Sequence, residues 1–228
     1  MLLPLLWKDL RLNKYMILLA VFLVDTPFVT TALGLSAFTG EPEDNTPLTE
    51  RLTIAFPFSL FFLAIASAFI GGSPVTAEKS ERTDRFLAYL PPTRWAVVTS
   101  KLLIALGLFV LAWAGPAFVY FYFLRSVAVE GLVGAGVKLI VYHCITASLM
   151  LFGLSWLVSM YVRSSTLCGL AAIVGWIVVL TIVRKTWFVL HGRPGMAHMI
   201  DYLPWIGGAI AVLSLAAGIV LFLRAPAD

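Results

Sequence analysis

Charged residues are scarce in this sequence. They make up 12% of its 228 residues, against about a quarter in soluble globular domains, and that shortage excludes a water-soluble fold. Cysteine is rarer still, with two in the chain. Cys144 and Cys168 both fall inside apolar runs, so they form no disulfide framework and read as small packing residues. Alternating ten-residue strands are missing, which removes a transmembrane barrel. Catalytic signatures are missing too: the chain has no H-E-x-x-H, no G-x-S-x-G and no Cys/His cluster at metal-ligand spacing. Gly131 and Gly136 stand at phosphate-loop spacing, but Val137 occupies the position where the phosphate-binding Lys is needed. His143 lies on an apolar helix and reads as a packed, hydrogen-bonded residue. His191 and His198 lie in a loop where Asp201 is the one carboxylate within useful reach.

What is abundant is apolar length. Hydrophobic residues make up 61% of the chain, mean hydropathy is +0.96, and the runs are continuous instead of striped. Lipid cannot hydrogen-bond a peptide group, so such runs must be helices. Each needs about 20 residues to cross a hydrocarbon core of about 30 Å. Six spans are expected, over Tyr15–Phe38, Leu52–Ile70, Leu102–Leu124, Val137–Val162, Leu167–Val183 and Ile206–Leu223. No internal repeat divides them, which predicts one all-α membrane domain over residues 1–228. Ahead of the first span, Met1–Asn13 reads as an interfacial amphipathic helix, with Leu3, Leu6, Trp7 and Leu10 toward lipid and Lys8, Asp9 and Arg11 toward water. A cleavable signal peptide fits this start less well, because Leu2–Trp7 is already strongly apolar.

Basic residues set the expected orientation. Lys8, Arg11, Lys14, Lys79, Arg82, Arg85, Arg94, Lys101, Arg163 and Arg224 fall on the side of the two termini, ten of the 16. Arg51, Arg125, Lys138, Arg184, Lys185 and Arg193 fall on the other side. The first loop, with Glu41, Glu43, Asp44 and Glu50 against Arg51, is acidic. Both termini are therefore expected in the cytoplasm, and the net charge of +4 reflects membrane orientation, not nucleic-acid binding. The three basic residues between Arg184 and Asp201 run against the trend.

One long polar segment, Ser73–Lys101, lies on the terminal side. From Ala77 it predicts an amphipathic helix stopped by Pro91 and Pro92, after which Thr93 caps a new helix leading into the third span. Two readings fit. The segment is a solvated loop whose charges orient the chain, or it is a docking element. In the second, Phe86, Leu87, Tyr89 and Leu90 enter a partner's groove while Glu78, Glu81, Arg82, Asp84 and Arg85 pair around its rim.

Glu78, Glu81, Arg82, Thr83, Leu87, Leu90, Pro91, Arg94, Val98 and Lys101 resemble the E-x-x-x-x-T-x-x-x-L-x-x-L-P-x-x-R pattern, ending in a Lys, of ABC transporter permeases of the type-2 exporter class. The resemblance extends to W-K-D-L-R at Trp7–Arg11, to six spans and to termini on one side; the second proline, Pro92, departs from it. It implies a permease subunit with no ATPase of its own, in the bacterial inner membrane. Two such subunits, alike or different, would work with cytoplasmic ATPase subunits that bind the ATP. The ATPase would dock on the loop residues Glu78, Glu81, Arg82, Asp84, Arg85, Phe86, Leu87, Leu90, Arg94 and Lys101. Membrane subunits serving haem maturation share the size and architecture. A non-transporting scaffold or anchor is a rival from another class, and an intramembrane enzyme a third.

Asp25 is the acidic residue nearest the middle of any expected span, where it costs roughly 2.5–3.5 kcal/mol to insert. It would line a polar path, hydrogen-bond a neighbouring helix beside Pro27, or lie near an interface if the span is shifted. Small residues four apart, Ser155 with Ser159 and Ser214 with Gly218, are expected to pack spans against one another within one subunit.

Overall fold

The six apolar runs become six long helices in the computed structural model, which describes residues 2–33, 48–81, 93–124, 132–191 and 196–224. They are α1 (Leu2–Ala32), α2 (Leu48–Glu81), α3 (Arg94–Val119), α4 (Leu132–Ser159), α5 (Ser165–His191) and α6 (Met196–Arg224). A π-helical turn, Tyr120–Leu124, extends α3. No strand occurs among the described residues. Each helix is long and apolar enough to cross a membrane, so the protein is membrane-embedded and all-helical.

Two boundaries differ from the expectation, for one physical reason. Helix α1 has 31 residues and no break between the N-terminal segment and the first span, because nothing from Leu5 to Thr26 interrupts the backbone ladder. The same holds for α2, whose 34 residues run through Ser73 and Ala77 to Glu81. At about 1.5 Å per residue it is roughly 51 Å long, so it outruns the hydrocarbon core and projects on the terminal side. Residues 77–81 are thus its last turn, not the start of a separate loop helix. Pro74 is accommodated inside it: the carbonyl that its missing N–H leaves free belongs to Ile70, and the Ser73 hydroxyl donates to that oxygen at 3.1 Å. Thr93 does cap α3, its hydroxyl accepting from the Ala96 N–H at 3.3 Å.

Helix α2 is the axis, packed by α1, α3, α4 and α5. Its Leu60, Leu63 and Ile70 are fully buried with Phe152 and Trp156 of α4. Its buried hydroxyls stay satisfied in this apolar setting: Ser59 donates to Val24 O at 2.8 Å, Ser67 to Leu63 O at 2.7 Å and Thr76 to Gly72 O at 3.0 Å. Gly71 lets the α4 backbone at Phe152 touch α2, and Gly153 does the same for α6 at Ala211. Ser155, Ser159 and Ser214 are buried and Gly218 sits under the Trp156 indole, so these small residues pack spans within the chain, as expected. The outer helices α5 and α6 are the least enclosed.

Candidate functional site: a buried ionic clasp on the terminal side

The terminal ends of α1, α2 and α3 meet around four charges that sum to zero. Lys101 of α3 is 1% exposed, Asp9 of α1 2% and Glu78 of α2 8%. The three protons of the Lys101 ammonium face three oxygens: Glu78 Oε2 in close contact, Pro74 O at 3.0 Å and Asp9 Oδ1 at 3.9 Å. Lys8 of α1 reaches the other Glu78 oxygen at 2.8 Å. Ser100 donates to Asp9 Oδ2 at 3.0 Å, and Asn13 Nδ2 donates to the Asp9 carbonyl at 2.7 Å. Asp9 Oδ1 and Asn13 Oδ1 accept no hydrogen bond among the described residues; the 3.9 Å approach of Lys101 to Asp9 Oδ1 is electrostatic only.

A carboxylate at the C-terminal end of α2 opposes the helix dipole, and two lysines offset it. The arrangement is one that cannot lose a member cheaply: removing one partner of a buried pair strands the other charge in a low dielectric, at a cost of about 3–5 kcal/mol. Neighbouring cations extend the clasp to α4 and α6. Lys79 donates to Ser159 O and Met160 O, both at 2.8 Å, capping the end of α4. Arg94 donates to Leu223 O at 2.8 Å, at the end of α6. Residues on both roots of the polar segment therefore bind α1, α4 and α6.

The expected docking residues divide accordingly. Arg82, Asp84, Arg85, Phe86, Leu87 and Leu90 lie outside the described residues, and Glu81 ends α2. Glu78 and Lys101 are not on a wet rim: they are the interior of the clasp. Arg94 is exposed and fastened to α6. Asp9 was expected to meet water and is instead buried, because continuity of α1 turns that face onto α2 and α3. The sequence alone set Lys8 and Asp9 in water and gave Lys79 a part in orientation only. Their signal lay in opposite charges at the ends of three adjacent helices, which must meet if those ends do.

Asp25 sits on α1 about 16 residues beyond the clasp. No hydrogen bond or ion pair reaches its carboxylate among the described residues, so the expected bond to a neighbouring helix is not what holds it. The carboxylate fills the space that any side chain at Gly115 of α3 would need. It is half-buried in the α1–α3 crease, between exposed Phe22 and Val29.

Among the described residues no group of three His, Cys, Asp or Glu side chains is placed to hold a metal. No protein-family model, curated protein or solved structure matches the chain.

Proposed function

We propose that the chain is the membrane-spanning permease subunit of an ATP-driven exporter of the type-2 ABC class. It lies in a bacterial inner membrane with both termini in the cytoplasm. It works beside a second permease subunit and takes its ATP hydrolysis from a separate cytoplasmic ATPase, moving substrate across or out of that membrane. The observation that carries this reading is the clasp. Glu78 and Lys101, the two ends of the permease-like pattern, are brought onto Lys8 and Asp9 of W-K-D-L-R, so the features of the resemblance converge on one neutral cluster. A push on the intervening segment is then passed to α1 at Lys8 and Asp9, to α4 at Lys79 and to α6 at Arg94. Rigid attachment of this kind is what tilting spans by an external ATPase requires. In that scheme Arg82, Asp84, Arg85, Phe86, Leu87 and Leu90 meet the ATPase, while Glu78, Lys79 and Lys101 transmit.

The test is co-purification with an ATPase encoded beside this chain, followed by hydrolysis in proteoliposomes. Reversing Arg82 and Arg85 to Glu is expected to weaken ATPase binding and coupled hydrolysis while leaving thermal unfolding of the permease unchanged. Undiminished binding and hydrolysis in that variant return the segment to a solvated loop, whereas capture of a soluble enzyme in place of an ATPase removes the permease reading in favour of a scaffold. Orientation is tested separately. With Cys144 and Cys168 replaced, a cysteine at Asn45 is expected to react with an impermeant reagent in intact cells and one at Asp84 is not; the opposite result inverts the topology.

A further inference from the structure

Helix α1 separates its charges by face. At about 100° per residue, Asp9 and Asn13 turn toward α2 and α3 and are buried in the clasp. Trp7, Arg11, Lys14 and Leu18, at helical spacing, form one stripe on the opposite face. All four are exposed, and with Leu10 and Ile17 they line a single shallow depression. Lys8 is paired with Glu78, whereas Arg11 and Lys14 form no ion pair among the described residues. No residue lining the depression is acidic. The Lys14 ammonium rests over the Tyr15 ring, 4.8 Å from its centre, which keeps it against the helix surface. Since the clasp behind it is neutral, this face carries two uncompensated positive charges.

Depth fixes what the stripe meets. Trp7 and Tyr15 of α1, Trp95 of α3 and Tyr161 just after α4 are exposed aromatic residues at the terminal end, and such rings mark the level of lipid headgroups. Arg11 and Lys14 lie between Trp7 and Tyr15, within that level. One turn further in, the same face becomes apolar, with Leu18 and then Phe22 exposed. A face that is cationic at headgroup depth and apolar below it matches a phospholipid laid along the helix. Residues three apart are surface neighbours, about 5–6 Å between Cβ atoms, so one phosphate can meet both cations. A lipid of net negative charge fits better than a zwitterionic one, because a choline would bring a third cation to a place that already holds two.

We infer that the outer face of α1 is an anionic-phospholipid site in the leaflet on the terminal side, with the headgroup phosphate held between Arg11 and Lys14 and an acyl chain over Leu18 and Phe22. The guanidinium offers the phosphate paired N–H donors and the ammonium a compact charge. This site needs no ATPase and stands whether or not the chain is a permease.

The experiment uses the full chain in nanodiscs of equal phosphatidylglycerol and phosphatidylcholine content, read by native mass spectrometry. Phosphatidylglycerol is expected to be retained over phosphatidylcholine by about 30-fold, the effect of two basic residues at a membrane surface. Replacing Arg11 and Lys14 by Gln is expected to lower that preference by about tenfold or more. The same replacement at Arg184 and Lys185, an exposed basic pair at the other end of the bundle, is expected to leave it unchanged. Location is read on the unaltered chain, with phosphatidylglycerol that carries a photoreactive headgroup: adducts are expected on the turns from Trp7 to Leu18. Equal retention of the two lipids, a preference that survives the Arg11 and Lys14 substitutions, or an equal loss in both double variants would each overturn the site. So would adducts no denser on α1 than on the terminal ends of the other helices. A species of two chains crosslinked through α1 and free of lipid would also overturn it, giving the face to a second copy.

Discussion

The two ends of this bundle are closed by opposite means. On the terminal side, four charges and the caps at Lys79 and Arg94 tie the helices at named atoms. On the other side, closure is aromatic: Phe56 lies 6.4 Å from Phe28 and 5.9 Å from Tyr120, ring to ring, and α5 and α6 are joined by Trp187 and Tyr202. Apolar packing gains little over lipid itself, since acyl chains are as apolar as leucine. Polar groups out of water are different, because each has few positions in which it is satisfied. The terminal end is therefore the one whose register is specified by polar atoms, and the opposite end the one held by ring and apolar contacts.

The comparison breaks most sharply at Lys101. Lys101→Met leaves Asp9 without its cation and is expected to destabilise the bundle by about 3–5 kcal/mol, measured by equilibrium unfolding in mixed micelles. Adding Asp9→Asn removes the stranded charge, keeps the Lys8–Glu78 pair and is expected to restore most of that loss. Failure of the second substitution to rescue would place the effect of Lys101 on Glu78 and the Pro74 carbonyl instead of on Asp9.

Asp25 provides the counter-case, a carboxylate with no hydrogen-bond or ion-pair partner among the described residues. Asp25→Leu is expected to fold and to gain up to roughly 2.5–3.5 kcal/mol of insertion free energy, seen as raised resistance to unfolding. Loss of fold would show that the carboxylate is bonded after all. A stable protein whose transport is lost would assign Asp25 to the substrate path, and Gly115→Ala, which displaces the carboxylate without altering charge, is then expected to impair transport as well.

A smaller effect is expected at Lys79. Lys79→Met uncaps α4 and is expected to cost about 1 kcal/mol, up to about 2 in a partly buried setting, with faster amide exchange confined to the last turn before Ser159. The smallest belongs to the aromatic end: Phe56→Leu keeps most of the apolar volume and is expected to lose about 0.5–1.5 kcal/mol of ring contact. A larger loss at Phe56 than at Lys101 would reverse the comparison.

The spans were legible because a bilayer leaves a peptide backbone one inexpensive solution, and apolar length states where it applies. Thr93 was legible as a cap because capping is local chemistry, and the small pairs around Ser155 and Gly218 because close helix contact needs small side chains. The clasp was not legible in the same way. Lys8, Asp9, Glu78 and Lys101 carry no mark separating a buried charge from a solvated one, and each lies near an expected span end, where solvated charges are usual. Periodicity also hid the continuity of α1 and α2, since a helix that leaves the membrane without a breaker changes only its solvent. By itself, then, the sequence determined the membrane, the helices, their number and the spacing of their small residues, all consequences of local composition meeting an apolar solvent. Only the tertiary structure decided that three helix ends share one neutral cluster and that Asp25 lies against Gly115. Each of these depends on which distant residues are brought within a few ångströms, and no local property of the chain records that.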